Sequence, residues 1–310
     1  MRIAVFGAGG VGGYFGGRLA LSGNEVAFIA RGSHLEAMRA GGLKVESIKG
    51  NFHVHPVEAT DDPSEVGVVD AVIVAVKAWQ VPEAALAMRP MVGASTVVLP
   101  LENGVEAPSQ LAEVLGREHV LGGMCQIISF IAEPGLIRHT GVEPYIALGE
   151  LDNRRSERVL RLHRTLVDAG ISAEIPADIT ARMWEKFVFI ASVSGMGAVT
   201  RATIGALREY PGTRKMLVRA IEEMVAVARA LGVGLRDDIV ERTMAFVDSL
   251  PYSSTASMQR NIMEGRPSEL ESQNGAVVRL GESVGVDTSL HSFIYNSLVL
   301  SEMKARGILG

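Results

Sequence analysis

Three glycines near the N-terminus have the spacing of a phosphate-binding turn. Gly7, Gly9 and Gly12 form the pattern G-x-G-x-x-G directly after an apolar strand and at the start of a helix. The first glycine permits a tight turn, the second lets backbone amides approach a pyrophosphate, and the third allows close packing of helix on strand. A dinucleotide is the predicted ligand, and a glycine-rich turn without a ligand is the alternative. The predicted cofactor-binding residues of this turn are Gly7, Ala8, Gly9, Gly10, Val11 and Gly12.

The end of the second predicted strand carries a basic residue where an NAD site usually presents a carboxylate. The segment at 30–33 reads ARGS, and the guanidinium of Arg31 is suited to pair with a 2′-phosphate. The sequence therefore predicts NADP (NADPH) as the cofactor, the alternative being that Arg31 is only a surface residue. Lys77 and Asn103 follow later strands, at the sheet edge where open α/β sheets bind ligands. For Lys77 a solvated charge at a strand end is the alternative.

A single lysine interrupts an apolar run that predicts a buried helix. The run, MWEKFVFIASVSGMGAVT at 183–200, contains Lys186 among apolar and small residues. Burial of an ammonium costs several kcal/mol unless other charges or hydrogen bonds replace the water. One interpretation is a stem packed on the core with the amine at the surface. The other is catalysis, because hydride delivery to a carbonyl leaves an alkoxide that needs a proton.

The elements that must position these residues change character along the chain. The runs RIAVFGAG, EVAFIAR, DAVIVAVK and TVVLPLEN are short, apolar and separated by helical stretches, which predicts a parallel sheet covered on both faces. Further strands between His119 and Gly149 are expected to extend this sheet in mixed orientation. From Ile179 onward successive helices replace the strands. We expect an α/β Rossmann-type domain at 1–177, with a mostly parallel sheet, and an all-α domain at 178–310.

Composition narrows the partners. A formal net charge of −5 gives no electrostatic reason to expect nucleic acid or an anionic membrane, so a small molecule is the expected ligand. Cys125 is the single cysteine, which excludes an internal disulfide, favours the cytoplasm and leaves no cysteine cluster for a zinc site. The seven histidines show no metal-ligand spacing, so no metal is expected. No apolar run reaches the length of a membrane span. The residues before the first predicted strand lack the pattern of a cleaved signal peptide, so none is expected.

The chain resembles the ketopantoate reductases, or 2-dehydropantoate 2-reductases, over almost its whole length. The motifs are GAGGVGGYFGGRL, VKAWQ, ENG, GLIRHTG, WEK and SMQRNIMEGRPSELESQNGAVVRLG. The last is the most specific, because it reproduces the twelve-residue interval from Ser257 to Glu269. The resemblance implies NADPH-dependent reduction of 2-dehydropantoate to pantoate, in the pathway to pantothenate. It also implies a helical half like the C-terminal domain of 6-phosphogluconate dehydrogenase, a cleft between the halves, and a possible homodimer.

Five site residues follow from this resemblance. Lys186 resembles the general acid of the family, and Glu269 the carboxylate that holds its amine and the substrate hydroxyl. Asn103 is expected to position substrate and nicotinamide, Ser257 to bind the substrate, and Arg31 to meet the cofactor phosphate. The alternatives are that Glu269 is only a first-turn helix residue favoured by the helix dipole, and that Ser257 is a polar residue of a helix surface.

Three positions depart from the family pattern. The family usually has Asn four and eight residues after the lysine, and again three residues before the serine; here Ile190, Ser194 and Ser254 occupy these substrate-binding positions. Isoleucine donates no side-chain hydrogen bond and serine reaches less far than asparagine. A more apolar pocket is expected, which leaves a different 2-oxo acid or ketone open as the substrate. A noncatalytic NADP(H)-binding redox sensor is the alternative of another class, against which the retention of Lys186 and Glu269 argues.

Overall fold

The computed structural model describes residues 1–309, and these form two compact units. The first unit comprises Met1–Glu102 and Ala107–Ile179, and the second comprises Asn103–Glu106 together with the chain from Thr180 onward. The first is an α/β unit and the second is helical, so the predicted fold class is confirmed. The strands are β1 (Arg2–Phe6), β2 (Glu25–Ile29), β3 (Leu43–Ser47), β4 (Phe52–Val54), β5 (Glu58–Thr60), β6 (Ala71–Val74), β7 (Val97–Pro100), β8 (Leu121–Glu133), β9 (Leu136–Glu150) and β10 (Ser172–Glu174). The helices of the first unit are α1 (Gly10–Leu21), α2 (Gly32–Gly41), α3 (Val81–Ala87), α4 (Ala107–Leu115) and α5 (Glu157–Asp168).

A parallel five-stranded sheet carries the glycine-rich turn. Its order is β5-β2-β1-β6-β7, and every adjacent pair is parallel. All four residues of β6 and of β7 are buried, as the apolar runs predicted for a sheet covered on both faces. The central strand β1 ends at Phe6, and α1 begins at Gly10. The glycine turn therefore lies at the carboxyl end of the central strand, where such sheets bind ligands.

The strands after His119 do not extend this sheet, which corrects the sequence prediction. β8 and β9 form a long antiparallel hairpin, and β9 also pairs in parallel with β3 and β10. Together with β4 they make a second sheet of mixed orientation, which an isolated bridge between Val98 and Val120 links to the first. The predicted mixed orientation is confirmed, but these strands pair with β3 and β10 rather than with the strands of the parallel sheet. The reason is that β9 finds its partner in β3, about 90 residues earlier in the sequence, and no local pattern encodes that pairing.

The second unit is a set of helices around its own apolar core. Phe187, Leu217 and Met258 are among its fully buried residues. Pro211 opens a long helix, and Gly232 follows its end in a left-handed conformation, with φ +79°. No helix within residues 1–309 is long and apolar enough to cross a membrane. The helices are α6 (Ile179–Thr200), α7 (Ile204–Glu209), α8 (Pro211–Ala230), α9 (Ile239–Ser249), α10 (Ser257–Met263), α11 (Ala276–Val284) and α12 (Ser289–Ala305).

The segment SELE, which has the spacing of a capping box, does not form one. The Ser268 hydroxyl accepts from the Leu270 amide at 3.2 Å and donates to the buried carboxylate of Glu302 at 2.5 Å. The Glu271 carboxylate instead pairs with Arg279. A π-helical turn at Glu271–Gly275 then leads into α11. The serine hydroxyl thus donates to the buried carboxylate and accepts from Leu270, two residues on, rather than from residue 271 as a capping box requires.

Candidate active site

The glycine-rich turn has the geometry of an anion-binding site. The Gly7 and Ala8 amides both donate to the carbonyl of Ile29, at 3.1 and 3.0 Å, which closes the turn against the end of β2. Gly7 has φ +101°, a left-handed conformation that favours glycine. The bond from the Gly13 amide to the Gly9 carbonyl, at 2.7 Å, begins the helical ladder. The amides between these two sets of bonds are the ones that a helix N-terminus offers to an anion.

The other two motif glycines have different steric roles. A Cβ atom built on Gly9 meets no atom within 4 Å, so the missing side chain leaves open space at the N-terminus of α1. A Cβ atom on Gly12 would overlap the carbonyl of Gly7 and approach Val5 Cγ1 to 2.8 Å, so this glycine lets α1 pack on β1. The residues present therefore fit a dinucleotide, with Gly9 as the point of close approach.

Two basic residues predicted for the cofactor lie at the surface of the first unit. Arg31 precedes α2, and its guanidinium forms an ion pair with Glu83 at 3.3 Å, both side chains being more than 60% exposed. An exposed pair of this kind contributes at most about 1 kcal/mol, so a phosphate can replace the carboxylate at little cost. Lys77 is exposed three residues beyond β6, and its amide donates to the side chain of Gln80 at 3.1 Å.

Lys186 lies on α6, as the apolar run predicted, and is half-buried. Ile190 and Ser194 follow at intervals of four residues and so share its helix face. Ile190 is half-buried, whereas Ser194 is fully buried. The Ser194 hydroxyl contacts the carbonyl of Ile190 and the Gln273 side-chain oxygen, the latter at 2.6 Å. The polar group of Ser194 therefore already bonds within the protein.

The structure brings two predicted residues together that lie 166 positions apart in the sequence. The Asn103 side-chain amide donates to the Glu269 carboxylate at 3.0 Å. Glu269 is 5% exposed, and Asn103 is half-buried. Gly104 has φ +107°, and a Cβ atom there would lie 3.1 Å from the Ser272 carbonyl, so the loop at 103–106 approaches the Glu269 segment closely. A carboxylate that accepts one such bond retains capacity for further donors.

Two of the three predicted substrate-binding serines lie at or just before the start of a short helix. Ser257 is the first residue of α10, and Ser254 precedes that helix in a turn. Both are half-buried. The backbone of Ser254 is fixed at both ends, because its amide donates to Pro251 at 3.1 Å and its carbonyl accepts from Ile204 at 2.9 Å. Their roles toward a substrate stay predictions.

A buried carboxylate on α12 holds the segment next to Glu269, which sequence reasoning missed. Both oxygens of Glu302 accept from the Ser268 amide, at 2.9 and 3.1 Å. Arg306 donates to Glu302 at 2.7 Å and to the Ser268 carbonyl at 2.8 Å. The backbone of Ser268 is thus fixed on both sides immediately before Glu269. The partners lie 34 residues apart, so no local pattern signals the contact.

A buried histidine contacts the glycine turn and was also missed. His34 lies on α2, is 8% exposed, and has its Nε2 atom 2.9 Å from the Ala8 carbonyl. Burial lowers its pKa from the usual value, and the bond to Ala8 opposes that shift in part. The signal available in the sequence was its place three residues after Arg31, at the sheet edge where the cofactor was predicted.

Two family models match the chain in succession. The model described as Ketopantoate reductase PanE/ApbA matches residues 3–153. The model described as Ketopantoate reductase PanE/ApbA C terminal matches residues 178–302. The first covers the glycine turn and the Asn103 loop, and the second covers Lys186 and Glu269. Together they span most of the chain.

Individual proteins match over similar lengths. An uncharacterized oxidoreductase, YkpB, from Bacillus subtilis is 30% identical, with 97% of this chain and 99% of that protein covered. A 2-dehydropantoate 2-reductase from Mesorhizobium japonicum is 30% identical, with coverage of 93% and 94%. Among solved structures, a PanE/ApbA family ketopantoate reductase from Ralstonia eutropha is 31% identical, with a TM-score of 0.90 and coverage of 99% and 100%. Sequence and structure comparisons thus agree on one family.

Proposed function

The chain belongs to the ketopantoate reductase family, a family of oxidoreductases, and from this premise we propose that it reduces a 2-oxo acid with NADPH. The proposed substrate is 2-dehydropantoate and the product pantoate, a step in the supply of pantothenate. The nicotinamide, when bound, supplies a hydride to the carbonyl carbon. The site residues then bind and orient the substrate and provide the proton that completes the hydroxyl group.

Six of the predicted site residues in the helical unit have a proposed task. The Lys186 ammonium polarises the ketone and gives its proton to the oxygen that hydride transfer leaves negatively charged. Glu269 holds that amine and the substrate hydroxyl, and Asn103 orients the carboxylate through their 3.0 Å bond. Ser257 and Ser254 bind the substrate from the start of α10. Ile190 presents an apolar surface on the Lys186 face of α6.

The observation that carries this proposal is the hydrogen bond between Asn103 and Glu269. Two polar residues singled out independently of any structure are brought together across 166 positions of sequence, and the carboxylate is nearly fully buried. Buried carboxylates are retained where hydrogen bonds and function require them, because an unpaired one is costly. The pair therefore supports a catalytic role for Glu269 over the noncatalytic alternative.

The activity is tested by the loss of NADPH absorbance with a panel of 2-oxo acids. The panel contains 2-dehydropantoate and the analogue that lacks only its 4-hydroxyl group. We expect the highest kcat/KM with 2-dehydropantoate. A preference for the analogue instead supports the second candidate, reduction of a less polar 2-oxo acid, which the half-buried Ile190 on the Lys186 face favours. Tight NADPH binding without turnover of any member supports a noncatalytic redox sensor and contradicts the proposal.

The preference for NADPH is assigned to Arg31. We expect Arg31→Ala to weaken NADPH binding about 10- to 100-fold, the usual value of hydrogen bonds to charged groups, and to change NADH binding less than about twofold. Fluorescence titration with each cofactor measures both effects.

A neighbouring substitution supplies the matched control. Glu83→Gln removes the carboxylate that pairs with Arg31 and should tighten NADPH binding a few-fold, since the guanidinium no longer exchanges one anion for another. An equal loss of affinity for both cofactors in Arg31→Ala would show that this residue does not bind the 2′-phosphate.

Cytoplasmic location and a homodimer also stay proposals, the first supported by the single cysteine.

A further inference from the structure

His34 joins three segments around the glycine-rich turn. Its ring lies on α2, its Nε2 atom is 2.9 Å from the Ala8 carbonyl, and its Nδ1 atom accepts from the Gly135 amide at 3.0 Å. Gly135 occupies the turn between β8 and β9. From the same hairpin, the backbone of Ser129 approaches Gly10 so closely that a Cβ atom on Gly10 would overlap it. The glycine-rich turn is therefore held by the β8–β9 hairpin as well as by β2.

The two bonds define which nitrogen of His34 carries the proton. A backbone amide only donates, so the Nδ1 atom that faces Gly135 must be the unprotonated acceptor. The Nε2 atom of the neutral ring then carries hydrogen and donates to the Ala8 carbonyl. A doubly protonated ring would place two donors against each other at Gly135. Burial, which lowers the pKa of His34, favours the neutral form that this arrangement needs.

The bond to Ala8 sets the direction of the next amide. The Ala8 carbonyl and the Gly9 amide belong to one planar trans peptide, so they point in opposite directions. Because the carbonyl is held toward the imidazole, the Gly9 N–H is turned away from it. The amides of Gly7 and Ala8 are already bonded to Ile29, and open space surrounds the Cβ position of Gly9. The Gly9 amide therefore points into the open space where a pyrophosphate would approach the turn most closely.

We propose that His34 is a positioning residue for the dinucleotide, which orients the Ala8–Gly9 peptide so that the Gly9 amide donates to the cofactor pyrophosphate. The inference rests on dinucleotide binding as proposed above, but on neither the substrate nor the 2′-phosphate. It concerns a residue that acts through the backbone of the turn rather than by touching the cofactor.

Two substitutions at position 34 separate this role from a merely structural one. His34→Gln keeps a side-chain donor at about the reach of Nε2 and loses the acceptor for Gly135. His34→Asn keeps an acceptor near Nδ1 and is too short to reach the Ala8 carbonyl. Each variant loses one of two hydrogen bonds, so similar melting temperatures are expected. Dissociation constants for NADPH and for NADH are measured by fluorescence titration, well below the lower melting temperature.

The two variants should differ in cofactor affinity. We expect His34→Asn to raise the NADPH dissociation constant about tenfold and His34→Gln to keep it within about threefold of the parent. Equal losses, or none in either variant, overturn the inference. Where His34→Asn fails to fold, His34→Gln decides: near-parental affinity supports the inference and a tenfold loss overturns it.

Failure of the proposed function gives a different pattern. A parent protein that binds NADH in preference to NADPH contradicts the proposed cofactor, and the same comparison made with NADH then decides the role of His34. Binding without reduction of any 2-oxo acid contradicts the proposed reaction and leaves the His34 result standing. A parent that binds neither dinucleotide overturns both.

Discussion

Replacement of Lys186 by alanine is expected to lower kcat at least about 100-fold with 2-dehydropantoate, while NADPH binds as in the parent. General acid catalysis contributes about 10²- to 10⁴-fold to typical enzyme reactions, and the alkoxide would otherwise take its proton from water. Added ethylammonium should restore part of the lost rate, because a small amine fits the space that the side chain leaves. Steady-state kinetics with and without the amine measure both effects.

Two further variants define the role of the lysine. Lys186→Arg keeps the positive charge but has a guanidinium that does not give up its proton, so it should remain slow. Lys215→Ala, on the exposed side of α8, removes a lysine outside the site and should leave kcat unchanged. Ordinary turnover by Lys186→Ala would remove the proposed acid role.

Replacement of Glu269 by glutamine is expected to lower kcat/KM about 100-fold, mainly through kcat. The substitution keeps an oxygen that accepts from Asn103 but removes the negative charge that we propose holds the lysine amine. The near-complete burial of Glu269 makes the lost charge costly to replace by water. Initial rates over a range of 2-dehydropantoate concentrations separate the effect on kcat from that on KM.

A distant carboxylate is the control for this prediction. Glu282→Gln, at an exposed position of α11, makes the same chemical change away from the site and should leave both kinetic parameters within about twofold. Asn103→Ala combined with Glu269→Ala tests the bond between them, because Glu269→Ala removes the acceptor that Glu269→Gln keeps. We expect the double variant to lose less than the product of the single losses, because residues in direct contact are not independent. A fully multiplicative loss would contradict a shared role.

The sequence by itself determined the elements whose signals are local. The glycine turn was predicted because strand, glycines and helix follow one another within about 20 residues. The surrounding backbone requires a glycine at Gly7 and Gly12, whereas Gly9 leaves open space at the N-terminus of the helix. The helix that carries Lys186 was predicted from a run of apolar and small residues, in which that residue is the single lysine. The division into an α/β and a helical unit followed from the change in hydrophobic period near Ile179.

Only the tertiary structure decided which distant groups meet. The sequence could not show that β9 pairs with β3 in a separate sheet, or that Ser268 bonds to Glu302 rather than capping its own helix. The bond from Asn103 to Glu269 and the contact of His34 with the glycine turn are of the same kind. The physical reason is that propensity and periodicity act over a few residues. A buried polar atom instead takes whichever partner the packed chain brings within reach, wherever that partner lies in the sequence.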